Sequence, residues 1–187
     1  MSERKQQILQ AAINIIVQEG YGALTMRALA RADGIKLGAL QYHFKTKDDL
    51  LRALVGYISD VYRQAFEDLK DNNALSGIDE ILGLLEMEPK GDPLQVDKLF
   101  PQLWAMGLVE PLVEDLMNEI YATYLKVVEE NLKKVGSVAP RAEALCIMSL
   151  MEGAILFVGK GRPWMSDGDA VLSFVKDYYQ GKYGKTD

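Results

Sequence analysis

Apolar residues return every three or four positions along most of this chain, the period of an amphipathic helix. From residue 74 onward no stretch alternates with the two-residue period of a strand. Over residues 2–19 the stripe is Ile8, Ala12, Ile15 and Ile16, flanked by Leu9 and Ile13, and Gly20 ends it. Thr25 can cap a second helix that reaches Ala32, with Met26, Leu29 and Ala30 on one face. Asp33-Gly34 breaks that helix, since glycine tolerates the positive φ of a sharp turn. A third helix from about Lys36 to His43 turns Ile35 and Leu40 inward, and Phe44 closes the core of this small head.

Thr46 then caps a long helix to about residue 70, with Asp48 and Asp49 in its first turn and Leu50, Leu54, Tyr57, Ile58, Val61, Ala65 and Leu69 recurring along it. That length exceeds what a three-helix head needs, so the helix reads as a connector and lever. A short helix at 78–86 and a loop at 88–93 follow. The apolar stretch 94–108 contains Pro101, which is expected to kink or split it. Pro111 suits the first turn of a further long helix, carrying Leu112, Leu116, Ile120, Tyr124 and Val128 and closed by Gly136. Two last helices are expected at about 137–157 and 167–180, and the tail from Lys182 on is expected to fray. The predicted fold class is all-α.

Of the 187 residues, 49% are apolar, enough for a core. No long apolar run suggests a membrane span, and the N-terminus lacks the apolar segment of a signal peptide. Cys146 is the only cysteine, so no internal disulfide forms and a reducing cytoplasm is the expected setting. Among Ala, Leu, Ile and Met on a predicted helix, it reads as a small core residue. The first 52 residues hold eight Lys/Arg against five Asp/Glu, a balance of +3, while the remaining 135 hold thirteen against twenty-two, a balance of −9. A basic head on an acidic body suits a protein that touches nucleic acid with one end.

The two short helices at about 25–44 fit a helix-turn-helix. Lys36, Leu37, Gly38, Ala39, Gln41, Tyr42 and His43 would lie on the outer face of the second helix. Small residues let a backbone approach a surface, while Lys, Tyr and His supply hydrogen bonds to phosphates and base edges. The same pattern also fits an ordinary helical hairpin whose polar side is solvated. Arg4 and Lys5 begin the first helix near where a DNA backbone could pass, and read as surface charge.

From Ile8 to Ile35 the chain reads IxxAAxxIIxxxGYxAxTMRxLAxxxGI, and from Gly38 to Leu51 it reads GALQYHFKTKDDLL. These runs resemble the N-terminal domain of TetR (tetracycline-repressor-like) transcriptional regulators over about 50 of the 187 residues. The family commonly has Tyr directly after the leucine at Leu40, where this chain has Gln41 followed by Tyr42. The resemblance implies a DNA-binding helix-turn-helix domain at 1–52 and a helical effector-binding and dimerisation domain at 53–187. It implies DNA contacts from Thr25, Arg27, Lys36, Leu37, Gly38, Ala39, Gln41, Tyr42, His43 and Lys47, the last gripping a phosphate at a helix N-terminus. It also implies a homodimer built from the last two helices, which carry Leu145, Met148, Ser149, Glu152, Gly153, Ile155 and Leu156, then Val171, Phe174, Val175 and Tyr178.

Aromatic and methionine residues gather in the body: Phe100, Trp104, Met106, Met117, Tyr121, Tyr124, Met148 and Met151. They suit an adaptable apolar pocket and equally an ordinary core. By resemblance, Phe100, Trp104, Met117, Tyr121, Tyr124, Met148 and Glu152 are candidates to contact a small-molecule effector. Glu152 on a mostly apolar helix needs a partner if buried: a subunit contact, or a cationic or hydroxylated ligand. The pattern calls for no cofactor and no metal. His43 is the sole histidine, and no nucleophile–base set, Cys/His metal spacing, GxGxxG or P-loop occurs, so catalysis is not expected. The expected function is a cytoplasmic, ligand-responsive regulator, most commonly a repressor, that binds a near-palindromic double-stranded operator as a dimer. The alternative is a helical ligand-binding or protein-interaction module with a degenerate DNA-binding head.

Overall fold

The computed structural model describes residues 2–71 and 94–184, and among these it contains α-helices, two single-turn 3-10 helices and no strand. The fold is all-α. The helices are α1 (Glu3–Glu19), α2 (Met26–Ala32), α3 (Leu37–His43), α4 (Lys47–Asp71), α5 (Val96–Gly107), α6 (Pro111–Lys134), α7 (Pro140–Phe157) and α8 (Gly168–Tyr183). The helix expected at 78–86, the loop at 88–93 and the side chains of Ala65 and Leu69 lie outside the described residues.

The described residues form two compact units, one built from 2–64 and 94–119, the other from 65–71 and 120–184. In the first, α1 begins where Ser2 Oγ accepts a hydrogen bond from the Lys5 N–H and buries Ile8, Leu9, Ala12, Ile13, Ile15 and Ile16. Leu29 and Ala30 of α2, Leu40 of α3, Phe44, and Leu50, Leu54 and Ile58 of α4 are buried in the same unit. The start of α4 is a reciprocal cap. Thr46 Oγ1 accepts from the Asp49 N–H at 3.0 Å, and Asp49 Oδ2 accepts from the Thr46 N–H at 3.1 Å. Tyr62 of α4 meets the ring of Phe100 on α5 edge-on, with centroids 5.4 Å apart.

Pro101 does not split α5, which is unbroken from Val96 to Gly107. Proline removes one bond, to the carbonyl four residues back, early in the helix. Burial of Leu99, Phe100, Leu103 and Met106 around it holds the remainder. Pro111 takes the first position of α6, where its missing N–H has no helical partner to lose.

In the second unit, Leu125, Val128 and Leu132 of α6, Ala144 and Ile147 of α7, and Val175 and Tyr179 of α8 are buried. Cys146 departs from expectation: it is exposed. It lies on an outward stripe of α7 with Leu145, Leu150, Leu156 and Phe157, and α8 exposes Val171, Phe174 and Tyr178, Phe174 at 73%. The helical period that placed Cys146 among apolar residues is correct; that face is exposed among the described residues.

The N-terminal turn of α7 is fastened to the end of α8 by Glu143. Its carboxylate accepts from Ser137 Oγ at 2.9 Å, Lys182 Nζ at 2.9 Å and Tyr183 OH at 2.6 Å. Partial burial opposes ionisation, but these three donors together hold the Glu143 carboxyl below its ordinary range. A carboxylate depressed in the folded state contributes stability above its unfolded pKa and loses it as pH falls through the folded one. Glu143→Gln is therefore expected to melt about 2–5 °C below the wild-type chain at neutral pH. That gap should narrow as the pH falls below about 4. Thermal melts across pH check this, and a gap that does not change with pH contradicts it.

Candidate nucleic-acid interface

The site is built on α3, a helix of seven residues that is too short to be stable alone. Three local devices fix it. Gly34, at φ 68°, makes the turn from α2. The Ile35 N–H donates to the Ala30 carbonyl at 2.9 Å, tying the turn to α2. Leu40, fully buried, anchors the inner face. A fourth device comes from far along the chain: the Arg4 guanidinium pairs with Asp33, whose side chain is only 9% exposed. Arg4 thus braces the turn rather than serving as loose surface charge, and Lys5 lies over the Phe44 ring at 5.6 Å.

With Leu40 inward, the rest of α3 faces out. Lys36, Gly38, Ala39 and Gln41 are exposed, Leu37 and His43 are half-buried, and Tyr42 is 86% exposed. Tyr42 and His43 touch edge to face, with centroids 5.4 Å apart. Thr25 and Arg27 are exposed at the start of α2. Thr25 Oγ1 accepts from the Ala28 N–H at 3.0 Å, so the hydroxyl caps α2 while its own proton remains available as a donor. Lys47 is exposed at the start of α4. The nearby carboxylates are met within the protein: Asp48 by Arg52 at 2.9 Å and Asp49 by the Thr46 N–H.

Gly38 is informative. A Cβ built there meets no atom within 4 Å, so nothing among the described residues requires glycine. A glycine in a helix costs about 1 kcal/mol relative to alanine.

The candidate effector residues are divided between the two units. In the first, Phe100 and Met117 are buried core residues, while Trp104 is 52% exposed on α5. In the second, Tyr124 is buried, and Tyr121, Met148 and Glu152 are half-buried. Burial, and then the Glu152 carboxylate, push the Tyr124 phenol well above its ordinary pKa. The described residues contain no helix long and apolar enough to cross a membrane. They also hold no group of three or more His, Cys, Asp or Glu side chains poised for a metal ion.

The fold and this exposed face define the class: an all-helical protein with an N-terminal helix-turn-helix. The sequence model described as "Bacterial regulatory proteins, tetR family" matches residues 8–54. The transcriptional regulator PksA of Bacillus subtilis is 28% identical over 90 residues, which span 48% of this chain and 44% of PksA. The chain thus spans less than half the length of that relative. A regulator from Saccharomonospora viridis solved in complex with choline superposes with a TM-score of 0.78 at 20% identity, covering 96% of this chain and 97% of that one. AibR, solved with isovaleryl coenzyme A and operator DNA, superposes with a TM-score of 0.71 at 16% identity, covering 94% and 97%. Over residues 8–54 the chain is thus similar to the TetR family of transcriptional regulators.

Gly38→Ala is expected to stabilise the free protein by about 0.5–1 kcal/mol and yet to weaken DNA binding. Lys36→Ala should leave the melting temperature unchanged and lower the slope of log affinity against log salt by about 1. Chemical denaturation paired with a salt titration of a bound duplex checks both. Unchanged affinity in both variants would contradict a DNA-contacting role for the outer face of α3.

Proposed function

We propose that this chain is a non-catalytic cytoplasmic regulator that represses transcription as a homodimer on a near-palindromic operator and is released by a small-molecule effector. The observation that carries the reading is the outer face of α3: small at Gly38 and Ala39, polar at Lys36 and Gln41, aromatic at Tyr42, and exposed although the helix is anchored inside by Leu40. Small residues let the helix backbone close on the floor of a major groove, and the side chains around them reach base edges and phosphates. Thr25, Arg27 and Lys47 flank this face and contact the sugar-phosphate backbone, the Lys47 ammonium acting beside the N-terminus of α4. In functional terms residues 1–52 read DNA, and 53–187 carry the effector and dimer roles.

The dimer reading rests on the uncovered stripes of α7 and α8. Their apolar side chains, Leu145, Leu150, Leu156, Phe174 and Tyr178 among them, are the kind of surface a soluble protein covers. Gly153 lies within the α7 stripe, and a Cβ there meets nothing within 4 Å, leaving room for a partner helix to approach. A two-fold pair places two copies of α3 in successive major grooves, roughly 34–36 Å apart. The effector reading rests on Tyr121, Tyr124, Met148 and Glu152, whose aromatic faces and carboxylate suit a cationic or hydroxylated ligand. The Saccharomonospora viridis structure, with its bound choline, supports that chemistry by likeness of fold. The effector shifts a balance between two conformations by its differential affinity for them, and DNA affinity falls with the shift.

Selection of bound sequences from random duplexes at about 0.15 M salt is expected to enrich a near-palindromic site. Light scattering of the free protein is expected to give twice the 20.9 kDa of the chain. No enriched sequence from a folded dimer would overturn the regulator reading, and a monomer at micromolar concentration would overturn the dimer. A panel of quaternary ammonium and amine compounds, choline included, is expected to contain a ligand that raises the melting temperature by about 2–5 °C. The rise should be smaller in Glu152→Gln. A panel without effect would exclude a cationic effector.

A further inference from the structure

Tyr21 lies directly after Gly20, in the single 3-10 turn between α1 and α2. Its hydroxyl donates a hydrogen bond to the Glu110 carboxylate, 89 residues away in sequence. Above its ring, 4.3 Å from the centroid, lies the ammonium of Lys47. The three side chains form one chain of contacts, from the start of α4 to the start of α6, and all three belong to the same compact unit.

Glu110 occupies a corner. Its N–H donates to the Met106 carbonyl at 2.8 Å, in the last turn of α5. Its own carbonyl accepts from the Val113 and Glu114 N–H groups at 2.9 and 3.2 Å, the first bonds of α6. The carboxylate therefore moves with the end of one helix and the start of the next. One more contact ties the start of α5 to α1, where Gln95 Nε2 donates to Asn14 Oδ1 at 2.9 Å, and Gln102 Oε1 lies 3.8 Å from where a Cβ on Gly20 would be.

We infer that Tyr21 is a positioning residue that seats the Lys47 ammonium for the DNA backbone, and that Glu110 makes this seat depend on the position of the α5–α6 corner. The inference rests on the regulator reading for its use and on the free protein for its geometry. A phenol donating to a carboxylate gains electron density, and its ring face then attracts an ammonium more strongly. Burial and the Glu110 contact both raise the Tyr21 pKa, so the hydroxyl stays a donor throughout the physiological range. A lysine held over a ring has already given up much of its rotamer freedom, so less is lost when it meets a phosphate. If the corner moves so that Glu110 leaves the hydroxyl, the seat weakens, Lys47 regains its freedom and DNA affinity drops. The helix that Glu110 opens, α6, is the one that carries Tyr121 and Tyr124 further along.

The experiment uses the full chain and the duplex enriched by selection. Fluorescence anisotropy is read at several salt concentrations for Lys47→Ala, Tyr21→Phe, Glu110→Ala, Glu110→Gln and the double variant Tyr21→Phe/Lys47→Ala, with melting curves to verify folding. Tyr21→Phe and Glu110→Ala are each expected to weaken binding about two- to fivefold, with Glu110→Gln keeping part of the affinity. In the Lys47→Ala background Tyr21→Phe should cost nothing further, because the residue acts through that lysine. Additive losses would mark Tyr21 as merely structural and overturn the inference, as would wild-type affinity in both Tyr21→Phe and Glu110→Ala. A second readout needs no DNA: the Lys47 ε-methylene protons in the free protein should be shifted upfield by the Tyr21 ring and move toward an ordinary lysine position in Glu110→Ala. Ordinary lysine shifts in the wild-type chain would overturn the seat. If no duplex is selected at all, the regulator reading fails, while the position of those resonances still decides whether the seat exists.

Discussion

The burial of one leucine governs this structure's working end. Helix α3 has seven residues, and Leu40 is the one that is buried. An isolated helix of two turns does not persist in water, so α3 exists because its inner face is held and its entry is fixed. That arrangement is what lets the outer face be chosen for something other than stability. Had the helix been longer, its own hydrogen bonds would have carried more of the load. Had it buried two faces, Gly38, Gln41 and Tyr42 would have been impossible where they stand. The Gly34 turn and the Arg4–Asp33 pair serve the same constraint from outside the helix, setting the angle at which the exposed face is presented.

What was legible in the sequence follows from how local each device is. The Thr25 cap, the Asp33-Gly34 break, the inward Leu40 and Pro111 at the head of a helix each depend on neighbours within a turn or two, and the structure places all of them as expected. Arg4 was not legible as a brace because its partner lies 29 residues away, and helical period specifies a face without specifying who meets it. The Tyr21–Glu110 contact was hidden for the same reason at three times the separation. Cys146 failed differently. Its stripe is apolar, as a core stripe is, and the period cannot distinguish a face covered within the chain from one left uncovered. Trp104 belongs with it: an aromatic residue on an apolar helix that the fold leaves half in solvent. For the candidate effector residues, composition gathered a set that the structure distributes over two units, with Glu152 acting electrostatically on Tyr124 in the second.

Gly38 and Gly153 sharpen the point about uncovered faces. Each lies inside a helix, where alanine is better by about 1 kcal/mol, and at each an added methyl would meet open space. Neither glycine improves the free chain. Both lie on faces that the chain leaves uncovered, one beside Tyr42 on α3, the other along the stripe of Leu150 and Leu156 on α7. Two independent surfaces thus carry a stability cost that contact with a second molecule would offset, one with polar surroundings and one with apolar. On the proposed function, a groove of nucleic acid meets the first and a second copy of the same helices meets the second. The polarity of the residues around each glycine, not the glycine itself, separates the two kinds of partner.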